Sequence, residues 1–271
     1  MKSIVSALMV LGSLVAVFLL DSPGRDVAST ILSISLTYLF TVRFVTHKGF
    51  RWAAFCAATR YRRTNIRVSI AYLVAIRTQG AYLLVRGHRI RHQYQPVGGV
   101  FKVTPGVWQG LINEFEVQQD VRFVADEAAE NDLRLLVKGR NLGALLAWFM
   151  KGENIEVAPW REFHEELIAT GHLSRENFSK GHFERVGLRT DGIHFDTHTG
   201  LQQLIVVELY KLFPTPGQEE ELRKLKDGGE GGMYPEYGFF SADLLKGGSG
   251  APIMEATFDV APTCKWLTSI H

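Results

Sequence analysis

Apolar positions are unevenly spread along the chain, and the densest runs come first. Residues 4–20 and 27–42 carry no charge, and the short stretch between them holds Asp21, Pro23, Gly24, Arg25 and Asp26. At about 1.5 Å per residue each run spans roughly 25 Å, close to a hydrocarbon core of about 30 Å. The pattern predicts a transmembrane helical hairpin over 1–45, with spans at 4–20 and 27–43. A secretory signal peptide is the competing reading, since Lys2 precedes an apolar stretch. No small-x-small cleavage site precedes the turn, and apolar character resumes soon after it. Arg43, Lys48, Arg51, Arg60, Arg62 and Arg63 crowd the far side of the second run, so both termini are expected in the cytoplasm. Phe44, Phe50, Trp52, Phe55 and Tyr61 are interleaved with these bases. Residues 46–65 are therefore expected either as a basic, aromatic juxtamembrane linker at headgroup level or as the first helix of the following domain.

Past residue 65 the period shortens. Residues 66–76 and 81–85 are rich in β-branched and aromatic side chains and read as neighbouring strands, with Thr78-Gln79-Gly80 turning between them. A further strand is expected at 132–138, a helix at 142–150 and a late strand at 204–212. Pro159 and Gly171 punctuate a helix of about three turns. On it Phe163 and Leu167 face the core, while Glu162, Glu165 and Glu166, at i, i+3 and i+4, share one side. Residues 219–226 read as an amphipathic helix laced with ion pairs. Strands alternating with helices make the soluble part an α/β domain.

Composition sharpens this in two ways. The apolar fraction of 46% and charged fraction of 21% exclude disorder and collagen-like order. The net charge of +2 conceals a division, because twelve bases and no acid lie between Asp26 and Glu114, whereas 26 acids face 16 bases from Glu114 onward. Such asymmetry points to an anionic ligand or surface opposite the basic part. Cys56 and Cys264 cannot build a disulfide framework.

The candidate chemistry is concentrated in two stretches. Arg86, His88, Arg89, Arg91, His92 and Tyr94 lead into Gly98-Gly99, and Arg161 opens the run of three glutamates. Carboxylates at this spacing repel unless cations sit among them, and hard oxygen ligands suit Mg²⁺ or Mn²⁺. Acids in a first helical turn are equally what the helix dipole favours, with Arg161 pairing Glu165. Guanidinium forks suit phosphate oxygens, and an aromatic ring can stack a base. The basic residues could instead meet anionic lipid. His194, Asp196 and His198 alternate and form a weaker metal candidate, more readily explained as an exposed turn before Thr199-Gly200.

The two stretches together resemble the Nudix family. Arg161, Glu162, Phe163, Glu165 and Glu166 follow its R-E-U-x-E-E pattern, and Tyr94-Gln95-Pro96-Val97-Gly98-Gly99 looks like its aromatic-Pro-Gly-Gly entry. The chain departs from the pattern where a glutamate is usual six residues after the loop glycine, at Pro105. It departs again at Ile168, in place of the late glycine, and in an insertion at about 103–158. With the apolar hairpin, the chain resembles the membrane-linked Nudix effectors associated with bacterial cyclic oligonucleotide synthases (CBASS).

That resemblance implies a Nudix-like α-β-α sandwich over 66–271, following the hairpin. It implies a cyclic oligonucleotide as ligand, held by Arg86, Arg91, Tyr94, Gly98, Gly99 and Arg161. It also implies hairpins that assemble into a homo-oligomer and damage the inner membrane, and no DNA or RNA polymer is expected as partner. The alternative it leaves open is a membrane-anchored Nudix hydrolase. There Glu162, Glu165 and Glu166 hold the metal and cleave a nucleoside diphosphate derivative. A third possibility is a Nudix-like domain that only docks partners.

Overall fold

The computed structural model describes residues 26–27, 29–31, 48–87, 93–120, 131–152, 155–156, 159–228, 236–247 and 259–270. In chain order they form α1 (Lys48–Thr59), β1 (Asn65–Ala75), β2 (Arg77–Thr78), β3 (Ala81–Arg86), β4 (Gln93–Gln95), β5 (Val97–Val100), β6 (Lys102–Val103), α2 (Pro105–Phe115), β7 (Gln118–Gln119), β8 (Arg134–Lys138), α3 (Gly139–Lys151) and β9 (Ile155–Glu156). Next come α4 (Pro159–Phe163) running into a π turn (His164–Ile168), β10 (Phe183–Thr190), β11 (His194–Asp196), β12 (Leu201–Leu212), α5 (Pro216–Asp227), β13 (Tyr237–Ser241), α6 (Ala242–Lys246), β14 (Asp259–Val260) and a 3₁₀ helix (Pro262–Ser269). This is the mixed α/β architecture that the sequence predicts, and it fits a Nudix-like fold.

The expected membrane spans lie outside the described residues except at 26–27 and 29–31, which are helical. Among the described residues no helix is long and apolar enough to cross a membrane.

The chain divides into two compact units. The first draws on the described residues up to Ile70, on Val100–Glu156 and on Thr190–Val206. Its helix α1 buries Phe50, Ala53, Ala54, Ala57 and Ala58, which recur at the i, i+3, i+4, i+7 spacing of one helical face. So of the two readings of the segment after residue 45, α1 packs as a helix of this unit, and Trp52 stays exposed on its outer side. The small alanines let α3 come close. Gly139, at the start of α3, lies so near α1 that a Cβ there would overlap the Tyr61 carbonyl oxygen and stand 2.6 Å from that of Ala57. Helix α3 then buries Leu142, Leu145, Leu146 and Phe149 and ends at Gly152, whose φ of 70° closes the helix in the left-handed region.

Strand β8 runs antiparallel to β1, from Asn65 opposite Lys138 to Ser69 opposite Arg134. Leu135 and Val137 alternate into the core on β8, as Ile66 and Val68 do on β1. Arg67 breaks the apolar rule. Its Nε donates to Asp120 Oδ2 at 2.7 Å and its Nη1 to Gln203, and all three residues are buried.

The second unit comprises Ala71–Gly99, Val157–Arg189 and Val207–His271. Gln79 and Gly80 both have positive φ, 45° and 78°, and close the β2–β3 hairpin as a two-residue loop whose twist matches its strands. Strand β3 is flanked by β13 and β4, both antiparallel to it, and β14 adds in parallel beyond β4. Tyr82, Leu83, Leu84 and Val85 are all buried, so β3 is covered on both faces and has no alternation.

Because Arg67 and Asp120 are both out of water, removing one partner strands the other. Asp120→Ala is expected to lower unfolding stability by about 3–5 kcal/mol, read from denaturant titration of the full chain. An unchanged midpoint would show that the pair carries no net stability.

Candidate functional site

The helix beginning at Pro159 is held by an aromatic cluster in the second unit. Phe163 is fully buried, with ring centroids 5.4 Å from Phe178, 5.5 Å from Phe183 and 5.6 Å from Trp160. Sequence periodicity predicts one continuous helix to Gly171. The structure has a single α turn and then a π turn in which the Ala169 N–H donates to the His164 carbonyl at 2.7 Å. The extra residue in the turn rotates the positions beyond it, and Leu167 and Ile168 both enter the core.

This rotation makes the three glutamates unequal. The Glu162 side chain is 18% exposed, and its Oε1 lies 3.2 Å from Arg161 Nη2 and 3.4 Å from the Tyr72 hydroxyl that donates to it. Burial, followed by the nearby Glu162 carboxylate, pushes the Tyr72 phenol up. Glu165 points outward, 59% exposed, with Arg161 Nε at 3.9 Å. Glu166 turns inward. Its carboxyl accepts a hydrogen bond from the Gly98 N–H, while Oε2 is buried with no partner. Burial, then the charge of Glu162, push Glu166 up to about 8, against the Gly98 N–H, which favours the charged form.

The double glycine is what lets strand β5 stand this close. A Cβ on Gly98 would overlap the Tyr72 carbonyl oxygen, and one on Gly99 would lie 2.5 Å from Glu162 Oε1. Both glycines therefore serve packing against β1 and the helix.

A cavity of about 850 Å³ opens on the other side of Glu166, lined by Val85, Arg86, Gly87, Glu166, Thr170, His172 and Glu236. Of the described residues expected to hold a ligand, Arg86 is the one that lines this cavity together with Glu166 and Thr170. Tyr94 is 1% exposed, with its ring 5.1 Å from Phe240, so it is a core residue and presents no open face for stacking a base. Arg91 lies outside the described residues. Thr170, His172 and Glu236 escape sequence reasoning because they come from a helix end and a loop, where no period singles them out. His172 packs edge-on against Tyr237 at 4.9 Å, and burial lowers it below the usual histidine range despite Glu236.

Among the described residues no group of three or more His, Cys, Asp or Glu side chains could hold a metal ion. Of the glutamates, Glu165 is 59% exposed while Glu166 Oε2 is buried, so their carboxylates are not gathered at one point. The arrangement does not fit the three-carboxylate Mg²⁺ or Mn²⁺ site anticipated from their spacing, and no step is derived through such an ion. At β11, Asp196 accepts from the His198 and Thr199 N–H groups and from Thr199 Oγ1, so its carboxylate fastens a turn. The Thr199 hydroxyl is the main reason its pKa is lowered.

Two outcomes are expected from this geometry. Gly98→Ala should cost about 1–3 kcal/mol through overpacking against β1. Gly110→Ala, on helix α2 where a Cβ meets nothing within 4 Å, should leave stability equal or raised. Equal melting temperatures for the two variants would refute the packing role. The folded pKa of Glu166 lies above the ordinary 4.5, so the native state keeps a proton that the unfolded chain gives up. Stability should therefore fall as pH rises from about 4.5 to 8, by up to about 1.4 kcal/mol per pH unit. Glu166→Gln should flatten that slope, and an unchanged slope would assign it to other groups.

Comparison with known proteins agrees with this region of the chain. No curated protein and no solved structure matches it. The family described as the SMODS-associated NUDIX domain matches residues 65–268, from the first residue of β1 to the penultimate residue of the 3₁₀ helix. The chain belongs to the SMODS-associated NUDIX family, which supports a place in CBASS antiviral defence.

Proposed function

We propose that this protein is a cyclic-nucleotide-gated membrane effector of bacterial antiphage defence. Its Nudix-like domain binds a cyclic oligonucleotide, and its N-terminal hairpins then assemble and disrupt the inner membrane. The observation that carries the reading is the cavity beside Glu166, which at about 850 Å³ is roomy enough to admit part of a cyclic nucleotide. Membership of the SMODS-associated NUDIX family supports the same ligand class. The uncharged runs at 4–20 and 27–42 support the membrane part, since each is about long enough to span.

The division of labour among the glutamates favours a sensor over a hydrolase. A hydrolase needs carboxylates gathered about a cation that bridges two phosphates and activates water. Here Arg161 lies beside Glu162 and Glu165, and the Glu166 carboxyl faces the Gly98 N–H. Residues so placed can hold a ligand in one orientation without breaking it.

Full-length protein in detergent, mixed with cyclic di- and trinucleotides and with linear nucleoside diphosphate compounds, with and without Mg²⁺, tests this directly by mass spectrometry of the recovered ligand. Retention of an intact cyclic nucleotide is expected, together with dye release from vesicles carrying the protein when that nucleotide is added. Mg²⁺-dependent cleavage of a linear compound, with no cyclic nucleotide retained, would overturn the sensor in favour of the hydrolase.

A further inference from the structure

The described wall of the second unit's cavity is rich in hydrogen-bond acceptors. Among the described residues its walls carry one guanidinium, from Arg86, against two carboxyls, from Glu166 and Glu236, with His172 and Thr170 beside them. A phosphate entering this space would meet the Glu236 carboxylate, and that of Glu166 whenever it is ionised, where low dielectric strengthens repulsion. A group rich in N–H donors would be received by them.

Glu166 sets the character of the site most sharply. Its Oε2 is buried without a hydrogen-bond partner, although buried polar atoms are nearly always paired. Leaving such an acceptor unmade is costly, so a ligand that brings a donor gains more there than at a hydrated surface. The last torsion of a glutamate side chain is broad, so the carboxyl of Glu166, which lines the cavity, can turn at little cost.

We infer that this cavity reads the nucleobase. It takes a base bearing an exocyclic amine, whose N–H donates to Oε2 of Glu166 as that carboxyl releases its proton to solvent, while the sugar and phosphate ring of the ligand stays outside. The inference rests on the proposed cyclic-nucleotide ligand and adds to it the part of the molecule that enters and the atom that recognises it. Val85 and Gly87 supply an apolar, unencumbered wall for a flat ring, and His172, fixed edge-on by Tyr237, supplies a second planar surface. Glu236 and the Thr170 hydroxyl remain as further acceptors for base or ribose.

The test uses full-length protein in detergent and equilibrium binding of five probes: cyclic di-GMP, cyclic di-AMP, cyclic tri-AMP, cyclic di-IMP and cyclic di-UMP. Hypoxanthine and uracil lack an exocyclic amine, so an amino-bearing member should bind at least about tenfold more tightly than cyclic di-IMP and cyclic di-UMP. Glu166→Leu should erase that preference. Thr170→Trp, at an exposed position on the cavity lining, should crowd the space beside Glu166 and weaken every probe at an unchanged melting temperature; it decides the matter if Glu166→Leu does not fold. Cyclic nucleotide binding that shows no amine preference, or that survives Thr170→Trp unchanged, would overturn the base-reading role and leave the gating function standing. Retention of none of the five by folded wild-type protein would overturn both.

Discussion

The contact between β5 and the interrupted helix orders the second unit. Gly98 presses against the Tyr72 carbonyl on β1 and sends its N–H to the Glu166 carboxyl, so a strand, its neighbour and the helix end are fastened at one residue. Any side chain at Gly98 would part the strands and withdraw that N–H together. Next to it, Gly99 leaves the room that the Glu162 carboxylate occupies. With Glu162 and Glu166 both on the inner side, one of them retains a proton near neutral pH. That proton relieves the repulsion which a cation would otherwise have to offset.

Much of this was legible in the sequence, and the misses have definable causes. The β2–β3 hairpin could be read because Gln79-Gly80 supplies the two positive φ angles that the turn needs. Strand β8 and helix α3 could be read because their apolar positions keep period 2 and period 3.6 respectively. The helix from Pro159 was legible only as far as Phe163. Nothing in His164-Glu165-Glu166-Leu167-Ile168 announces an extra residue per turn, since apolar positions at 163, 167 and 168 suit an α or a π turn equally well. Hence three glutamates that share a face at α spacing separate into an inner, an outer and an intermediate position. Tyr94 failed for a related reason, because a lone aromatic next to bases looks the same whether it faces a ligand or Phe240.

The charge asymmetry of the chain has a partly internal explanation. Arg67 from the basic third is buried against Asp120 from the acidic remainder, and Lys102 faces Asp132 at 3.9 Å, all within the first unit. An excess of bases along one stretch is therefore drawn down by acids that the fold brings back to it. A ligand can feel only the bases left at the surface, and counting along the sequence overstates them.

The same reasoning separates the two halves of a nucleotide. A phosphate is recognised by charge, tolerates water and suits arginines such as those at 86, 89 and 91. A base is neutral and flat, and is told from its relatives by single donors and acceptors, which discriminate only when shielded from water. Glu166 meets the second requirement because its Oε2 is out of solvent while the residue lines a cavity wall. An unbroken α helix would hold 162, 165 and 166 on one side, the arrangement suited to a metal ion. One motif thus places its glutamates in three environments, and the inner one offers the chemistry of hydrogen bonds where the spacing alone suggests that of cations.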